Sequence, residues 1–291
     1  MNTNNNLYTV VYSAIIVVVV AAILAWAAMA LKPKQDANIK AETISQMLDA
    51  AKIQNKGEAA NNEAILDKYA ETIQTAFTVN AEGTKVKDLA TDRQNIQLAD
   101  GLKAQNSILK KGGDVELPVY VFNNEGKKVT VVPVYGAGLW GPVWGYVAFD
   151  EDLKTILGAY FDHESETPGL GAKIKDDPEF RAQFIGKKAD FAASPVFGII
   201  KNAAKDNEVD AITGATMTSK GLGAAIGTWL EAYKPYFTAN APVEKNKCNC
   251  GQFCPCEDCQ CDCHCHPGQT QCECPDCPCE NCPTGSHKME E

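Results

Sequence analysis

The stretch Asp210-Ala-Ile-Thr-Gly-Ala-Thr-Met-Thr-Ser219 places three threonines and a serine around one glycine, directly before a helical pattern. Apolar residues then recur at intervals of three and four, which predicts one buried helix face. These residues are Leu222, Ile226, Trp229, Leu230 and Tyr233. A hydroxyl-rich turn at this place can cap the free N–H groups of the first helical turn, or those groups can hold an anion such as phosphate. Spacing alone favours the cap, because caps are the commoner use of such residues.

Composition excludes several kinds of chemistry. The 291-residue chain has a formal net charge of -10 and no long basic block, which argues against a nucleic-acid surface. All 13 cysteines lie between Cys248 and Cys282, so residues 1–247 contain no thiol nucleophile and no thiolate-bound cluster. If this part of the chain transfers electrons, a bound organic cofactor must carry them.

The N-terminal residues predict a membrane anchor. Residues 1–31 contain no charged side chain and residues 10–31 are almost wholly apolar; about 20 such residues span a bilayer as a helix. A signal peptide fits less well, because no basic side chain precedes the apolar run and no cleavage site is evident before Lys32. We predict an uncleaved, single-pass anchor over residues 1–32. The lysines that follow it favour a cytoplasmic domain by the positive-inside tendency.

Periodicity divides the next residues into a helical region and a sheet. Residues 33–112 carry two amphipathic helical patterns, at 44–51 and 65–73, and are predicted as a helical membrane-proximal region. Alternating apolar residues then predict strands over residues 117–122, 127–135, 143–149, 155–161 and 196–200. Together with flanking helices, this order indicates an α+β domain over residues 113–240, built on an antiparallel sheet.

Two helices are predicted within that domain. Asp177-Pro178 has the cap and first-position proline of a short helix. The final helix follows the motif at residues 210–219 and is predicted to end at Pro235. Its three glycines, Gly221, Gly223 and Gly227, lower its intrinsic stability and therefore indicate close packing against another backbone.

Two glycine-rich loops interrupt the predicted sheet. They are Gly136-Ala-Gly-Leu-Trp-Gly-Pro-Val-Trp-Gly145 and Glu164-Ser-Glu-Thr-Pro-Gly-Leu-Gly171. Glycine lets a backbone approach a ligand closely, and Leu139, Trp140 and Trp144 offer an apolar wall. The alternative is that both loops are simple turns, with the tryptophans in the core. The loops by themselves leave both interpretations open.

Three motifs in this order resemble the C subunit of the sodium-translocating NADH:quinone reductase. The motifs are Gly138-Leu-Trp-Gly-Pro142, Glu166-Thr-Pro-Gly-Leu-Gly171 and the stretch at 210–219. The FMN-bearing G subunit of the ferredoxin-linked, ion-translocating electron transport complex shares the last motif and is the alternative. The resemblance covers residues 7–237, and the Trp-containing loop favours the quinone-reductase subunit.

The resemblance implies a covalent FMN-binding domain in which the FMN phosphate is joined to Thr216. It also implies a set of cofactor-binding residues: Asp210, Thr213, Gly214, Ala215, Thr218, Glu166, Thr167, Leu170, Gly171, Leu139 and Trp140. Glu166 could equally be a solvated loop carboxylate. Thr216 has no histidine nearby in sequence to activate its hydroxyl, so a separate flavin transferase is expected to attach the FMN.

The implied task is electron relay inside a membrane complex. Electrons would arrive from an iron–sulfur centre and leave for the next FMN, while the complex oxidises NADH, reduces a quinone and exports sodium as a translocase. The chain has no dinucleotide fingerprint, so it is expected to act only with the other membrane subunits. The family places the FMN domain on the periplasmic side of the bacterial inner membrane. We follow the family here, against the thin lysine pattern.

Residues 241–291 form a tail that departs from the family pattern. Its Cys-x-Cys spacing resembles a metallothionein-like tract and is typical of thiolate clusters for Zn or Cu(I). The candidate ligands are Cys248, Cys250, Cys254, Cys256, Cys259, Cys261, Cys263, Cys265, Cys272, Cys274, Cys277, Cys279 and Cys282. The alternative is a disordered, low-complexity tail whose thiols oxidise nonspecifically. A further hypothesis makes the whole chain a membrane-anchored metal-binding protein.

Overall fold

A computed structural model describes residues 6–99 and 101–242. The chain divides into two compact units, Met1–Ala241 and Pro242–Glu291. The elements below all belong to the first unit. The tail with its 13 cysteines, and with it the predicted metal tract, lies outside the described residues.

The described residues form six helices and eight strands. The helices are α1 (Asn6–Ala50), α2 (Asn62–Thr72), α3 (Leu102–Lys111), α4 (Lys173–Asp176), α5 (Pro178–Ala182) and α6 (Thr216–Asn240). The strands are β1 (Ile73–Val79), β2 (Lys85–Asp88), β3 (Leu117–Asn124), β4 (Lys127–Ala137), β5 (Pro142–Phe149), β6 (Ile156–His163), β7 (Gly198–Ile200) and β8 (Glu208–Asp210).

Helix α1 joins the predicted anchor to the folded domain without a break. An 18-residue window with a mean hydropathy of 2.9 makes it long and apolar enough to cross a membrane. Ala41 and residues 44–50 of the helix are buried, and Ile44 and Leu48 pack under the sheet. Pro33 lies inside the helix and does not end it. The first amphipathic pattern, at residues 44–51, is therefore a continuation of the anchor helix, whereas the second, at 65–73, belongs to α2 except for its last residue.

Strands β1–β6 form one antiparallel sheet in the order β2-β1-β3-β4-β5-β6. Side chains alternate between its faces, so Val119 and Val121 join the core under α6 whereas Tyr120 and Phe122 join the core under α1 and α2. The predicted antiparallel α+β fold is confirmed. The region 33–112 is not purely helical, however, because it also supplies β1 and β2.

Helix α6 lies against the end of β4 through small residues. A Cβ on Gly221 would clash with the carbonyl oxygen of Ala137, and one on Gly136 would clash with the Ala225 side chain. The next helical glycine, Gly223, faces β7, where Ile199 N lies 3.3 Å from an ideal Cβ position. This contact with neighbouring backbone is the close packing that the helical glycines indicate.

The predicted end of α6 at Pro235 is wrong. The helix continues to Asn240 with Pro235 inside it. Tyr236 and Phe237 are buried beyond the proline, and their packing in the core outweighs the lost hydrogen bond.

Two glycine substitutions in α6 should have opposite effects on the free energy of unfolding. Gly221→Ala should lower it by about 1–3 kcal/mol, because the new methyl group overlaps the Ala137 carbonyl. Gly227→Ala should raise it by about 0.5–1 kcal/mol, because its nearest neighbour is 3.6 Å away and alanine favours helix. Urea unfolding of the detergent-solubilised chain, followed by near-ultraviolet circular dichroism, measures both. Equal losses in the two variants would contradict this account.

Candidate functional site

Three segments meet at the N-terminus of α6. They are the loop at residues 138–141 between β4 and β5, the loop at residues 164–171 after β6, and the turn at residues 211–215. The first loop is closed by a hydrogen bond from Gly138 N to Gly141 O (2.8 Å). Both glycine-rich loops of the sequence therefore lie beside the hydroxyl-rich motif.

The carboxylate of Glu166 holds these segments together. Its Oε1 accepts a hydrogen bond from the backbone N–H of Trp140 (2.9 Å), and its Oε2 accepts one from Thr218 Oγ1 (2.5 Å). Glu166 is only 4% exposed, so the solvated alternative for this residue is wrong. Any side chain on Gly138 or Gly171 would overlap the carboxylate, which explains why glycine stands at both positions.

Glu166 is charged at neutral pH. Burial disfavours the ionised carboxylate, but the hydrogen bonds from the Thr218 hydroxyl and the amides of Trp140 and Leu139 outweigh burial and lower its pKa. His163 adds a smaller favourable interaction. A charged acceptor makes stronger hydrogen bonds than a neutral one. The link between the two loops and α6 is therefore stabilised by charge.

The turn before α6 does not provide the side-chain cap that the spacing of the hydroxyl residues in the motif favours. The N-cap residue is Ala215, and within the described residues no side chain caps the first turn of α6. The cap fails because the inner hydroxyls face the protein: Ser219 Oγ accepts from Ile212 N (3.1 Å), and Thr218 donates to Glu166. Gly214 adopts a φ of +80°, a conformation that favours glycine.

Thr216 is exposed at this uncapped end of α6. The first turn contains no acidic residue, so the positive end of the helix dipole is not neutralised within the turn. Thr213 and Gly214 are exposed beside it in sequence. The motif therefore offers water-accessible hydroxyl groups next to backbone N–H donors, an arrangement suited to an anion.

Exposed apolar side chains lie on the two loops and in the first turn of α6. They are Leu139, Trp140, Leu170 and Met217. Trp140 is 67% exposed, so it is not a core residue, whereas Trp144 is partly buried on β5. We call these four residues the apolar rim. Exposed apolar residues that cluster in this way mark a place where a ligand or partner is bound.

Two further predicted residues, Asp210 and Thr167, make hydrogen bonds within the protein. Asp210 ends β8; its Oδ1 accepts from Ala203 N (2.9 Å), and its own N–H donates to Gln183 Oε1 (2.9 Å). The carbonyl oxygen of Thr167 accepts from Leu170 N (3.1 Å), which shapes the second glycine loop. Asp210 and Thr167 are both exposed.

Sequence reasoning missed two contributors to the site. Met217 belongs to the apolar rim, although no sequence pattern in the motif indicates a role for it. Ser219 closes the turn through its hydroxyl, and its position one helical turn inside α6 is the signal that could have indicated this. Among the described residues, no group of three or more His, Cys, Asp or Glu side chains could hold a metal ion.

Comparison with known proteins agrees with this geometry. The FMN-binding domain family matches residues 138–231, which include both glycine loops and the start of α6. The C subunit of the Na(+)-translocating NADH-quinone reductase of Haemophilus ducreyi is 31% identical over 229 residues, covering 74% of this chain and 86% of that protein. The chain belongs to this C-subunit family. The family member from Vibrio anguillarum is 30% identical over 220 residues, covering 72% of this chain and 84% of that protein.

Solved structures of the C-subunit family share the fold. The Parabacteroides distasonis protein has a TM-score of 0.60 and 34% identity, covering 72% of this chain and 97% of that one. The Shewanella oneidensis protein has a TM-score of 0.56 and 25% identity, covering 70% and 98%. The family resemblance read from the three motifs is confirmed.

Glu166→Gln should remove a pH-dependent part of the stability. Because the folded pKa lies below the ordinary value near 4.5, the carboxylate stabilises the fold above that pH and loses this effect as the pH falls through the folded pKa. At pH 7 the wild type should be more stable by about 1–2 kcal/mol. The difference should shrink below about pH 4.

Urea unfolding at a series of pH values measures this difference. Glu231→Gln, an exposed substitution on α6, is the control and should change stability little at any pH. A difference between wild type and Glu166→Gln that stays constant down to about pH 3 would contradict the assignment of a lowered pKa.

Proposed function

We propose that this chain carries FMN, joined through its phosphate to Thr216 Oγ, as the electron-relay subunit of a Na(+)-translocating NADH-quinone reductase. The observation that carries the proposal is the position of Thr216. It is exposed at the uncapped N-terminus of α6, inside the segment that matches the FMN-binding domain family.

The start of α6 fits a phosphate group. The backbone N–H groups of the first turn and the helix dipole favour a negative charge there, and Thr216 supplies the ester oxygen. Gly214 places no side chain at its own position in the turn, and Thr213 offers a second exposed hydroxyl. Ala215 is buried and sets the start of the helix.

The apolar rim fits the flat ring system of a flavin. Ring contact with Trp140 and Leu139 from one loop and with Leu170 from the other would remove exposed apolar surface from water. Thr167 lies on the same loop as Leu170. We assign Glu166, Gly171 and Thr218 to holding the loops, because both oxygens of the carboxylate accept hydrogen bonds from the protein.

Thr216 has no histidine close to it in sequence that could activate its hydroxyl. The only histidine among the described residues is His163, and its Nδ1 accepts the backbone N–H of Glu166 (3.1 Å). A threonine hydroxyl is a weak nucleophile without a base. A separate flavin transferase would therefore form the bond between Thr216 Oγ and the phosphorus of an activated FMN donor. The phosphoanhydride bond of that donor breaks, its phosphate leaving group departs, and the Thr216 hydroxyl proton passes to a base of the transferase. The exposed residues Asp210 and Thr213 are available to the transferase.

Bound FMN would supply electron transfer in single or paired steps. The protein's part is to hold the flavin at an exposed place where redox centres of the other membrane subunits can approach. Sodium export would then belong to the assembled complex. We place the domain on the periplasmic side of the inner membrane, in agreement with the family expectation from the sequence.

Covalent attachment can be tested on a denaturing gel. The chain produced with a flavin transferase should give a band that fluoresces under ultraviolet light, and Thr216→Ala should lose essentially all of this fluorescence. Thr228→Ala, in the same helix outside the motif, should stay bright. A dark wild-type band, or a bright Thr216→Ala band, would refute the attachment.

The orientation can be tested by proteolysis of spheroplasts. A protease added outside should degrade the domain that follows α1 if the domain is periplasmic, and the inner membrane should protect it if it is cytoplasmic. A cytoplasmic marker protein must stay intact as the control. Protection of the domain until detergent is added would overturn the periplasmic assignment.

A further inference from the structure

A buried carboxylate, that of Asp162, lies between helix α1 and the two glycine loops at residues 138–141 and 164–171. Asp162, near the end of β6, is only 5% exposed. Its Oδ2 accepts from Gln46 Nε2 of α1 (3.0 Å), and its Oδ1 pairs with Lys175 Nζ of α4 (2.8 Å). We call Gln46, Asp162 and Lys175 the Asp162 cluster. It joins α1 to Asp162, which lies 116 residues further along the chain, and to α4 beyond it.

The Asp162 cluster leads directly to Glu166. Asp162 Oδ1 also accepts the backbone N–H of His163 (2.8 Å), which fixes the end of β6. The ring of His163 then accepts the backbone N–H of Glu166 through Nδ1 (3.1 Å). Glu166 in turn holds Trp140 and Thr218. Hydrogen bonds connected through the residues His163 and Glu166 therefore link Gln46 in α1 to the loop that carries Trp140.

Stability alone does not account for this cluster. The Asp162–Lys175 pair gains little over apolar residues of the same size, because removing the Asp162 charge from water is costly and Lys175 is still 34% exposed. Hydrogen bonds to both oxygens do, however, fix the carboxylate in one position. Leu48, two residues after Gln46 on α1, shows that the same helix also packs on the domain through apolar contacts.

We propose that Asp162 is a positioning residue for the flavin site, tying α1 to the loop that carries Glu166. The inference rests on the proposed function, since it assigns the cluster a role toward bound FMN. Asp162 itself touches neither Thr216 nor the apolar rim. It acts through His163 and Glu166, and it sets where the 164–171 loop begins.

The chain offers a matched control for this test. Asp49 of α1 is also buried and pairs with Arg181 Nη1 of α5 (3.3 Å), and it accepts Lys56 N (3.2 Å). The Asp49–Arg181 pair joins α1 to the domain but is not hydrogen-bonded to the glycine loops at residues 138–141 and 164–171. Asp49→Asn should therefore weaken the fold as Asp162→Asn does, without changing the site.

Hydrogen–deuterium exchange of the flavin-free, full-length chain gives the first measurement. In Asp162→Asn the amides at residues 138–141, which include the Trp140 N–H, should exchange at least about tenfold faster than in wild type, as expected for a weakened charge-assisted hydrogen bond. Asp49→Asn should leave them unchanged. If Asp162→Asn does not fold, Gln46→Met, which keeps the Asp162–Lys175 pair, carries the test with a change in the same direction.

The flavin midpoint potential in the assembled complex gives the second measurement. It should shift in Asp162→Asn and stay at the wild-type value in Asp49→Asn. Equal exchange and equal potentials in the two variants would overturn the positioning role. A wild-type chain without flavin would instead refute the proposed function, while the exchange measurement would still decide whether Asp162 controls the loop.

Discussion

The buried carboxylate of Glu166 is the interaction on which the site depends. It accepts hydrogen bonds from a loop amide and from a helix hydroxyl, so one side chain sets the distance between the 138–141 loop and α6. The carboxylate stays charged because its donors stabilise the anion more than burial disfavours it. Without it, the loop that carries the exposed Trp140 would lose its hydrogen-bonded link to the helix that begins at Thr216.

Backbone contact prepares the place for this interaction. The sheet is covered by α1 and α2 on one face and by α6 on the other. Because Gly221 meets the carbonyl of Ala137, the helix and the end of β4 approach more closely than side chains would allow. The same approach places Thr218 and the 138–141 loop on either side of Glu166. Packing and charge therefore act on the same few residues.

Much of this arrangement can be predicted from the sequence, and the failures have physical causes. The strands at 117–163 and the short helix after Asp177 follow from alternation and capping residues. Strand β1 is hidden because the helical pattern of α2 runs directly into Ile73. Strand β2 is hidden because all its residues are exposed and its sequence is mostly charged, so it shows no buried apolar face. The three motifs indicate the family and bring the glycine loops to Thr216. The burial of Glu166 could not be foreseen, because its partners lie 26 and 52 residues away in sequence.

Because α1 is one continuous helix, it restricts how far the folded domain can move relative to the apolar segment of α1. About ten helical residues, or some 15 Å, separate Leu31 at the end of the apolar run from Ala41, where burial against the domain begins. A flexible linker would let the domain sample many positions relative to the apolar segment. A continuous helix instead holds the domain at a fixed distance from that segment, so the two move together. If α1 spans a bilayer and FMN is joined to Thr216, as we propose, the reach of the flavin is set by how far the apolar segment of α1 tilts or rotates.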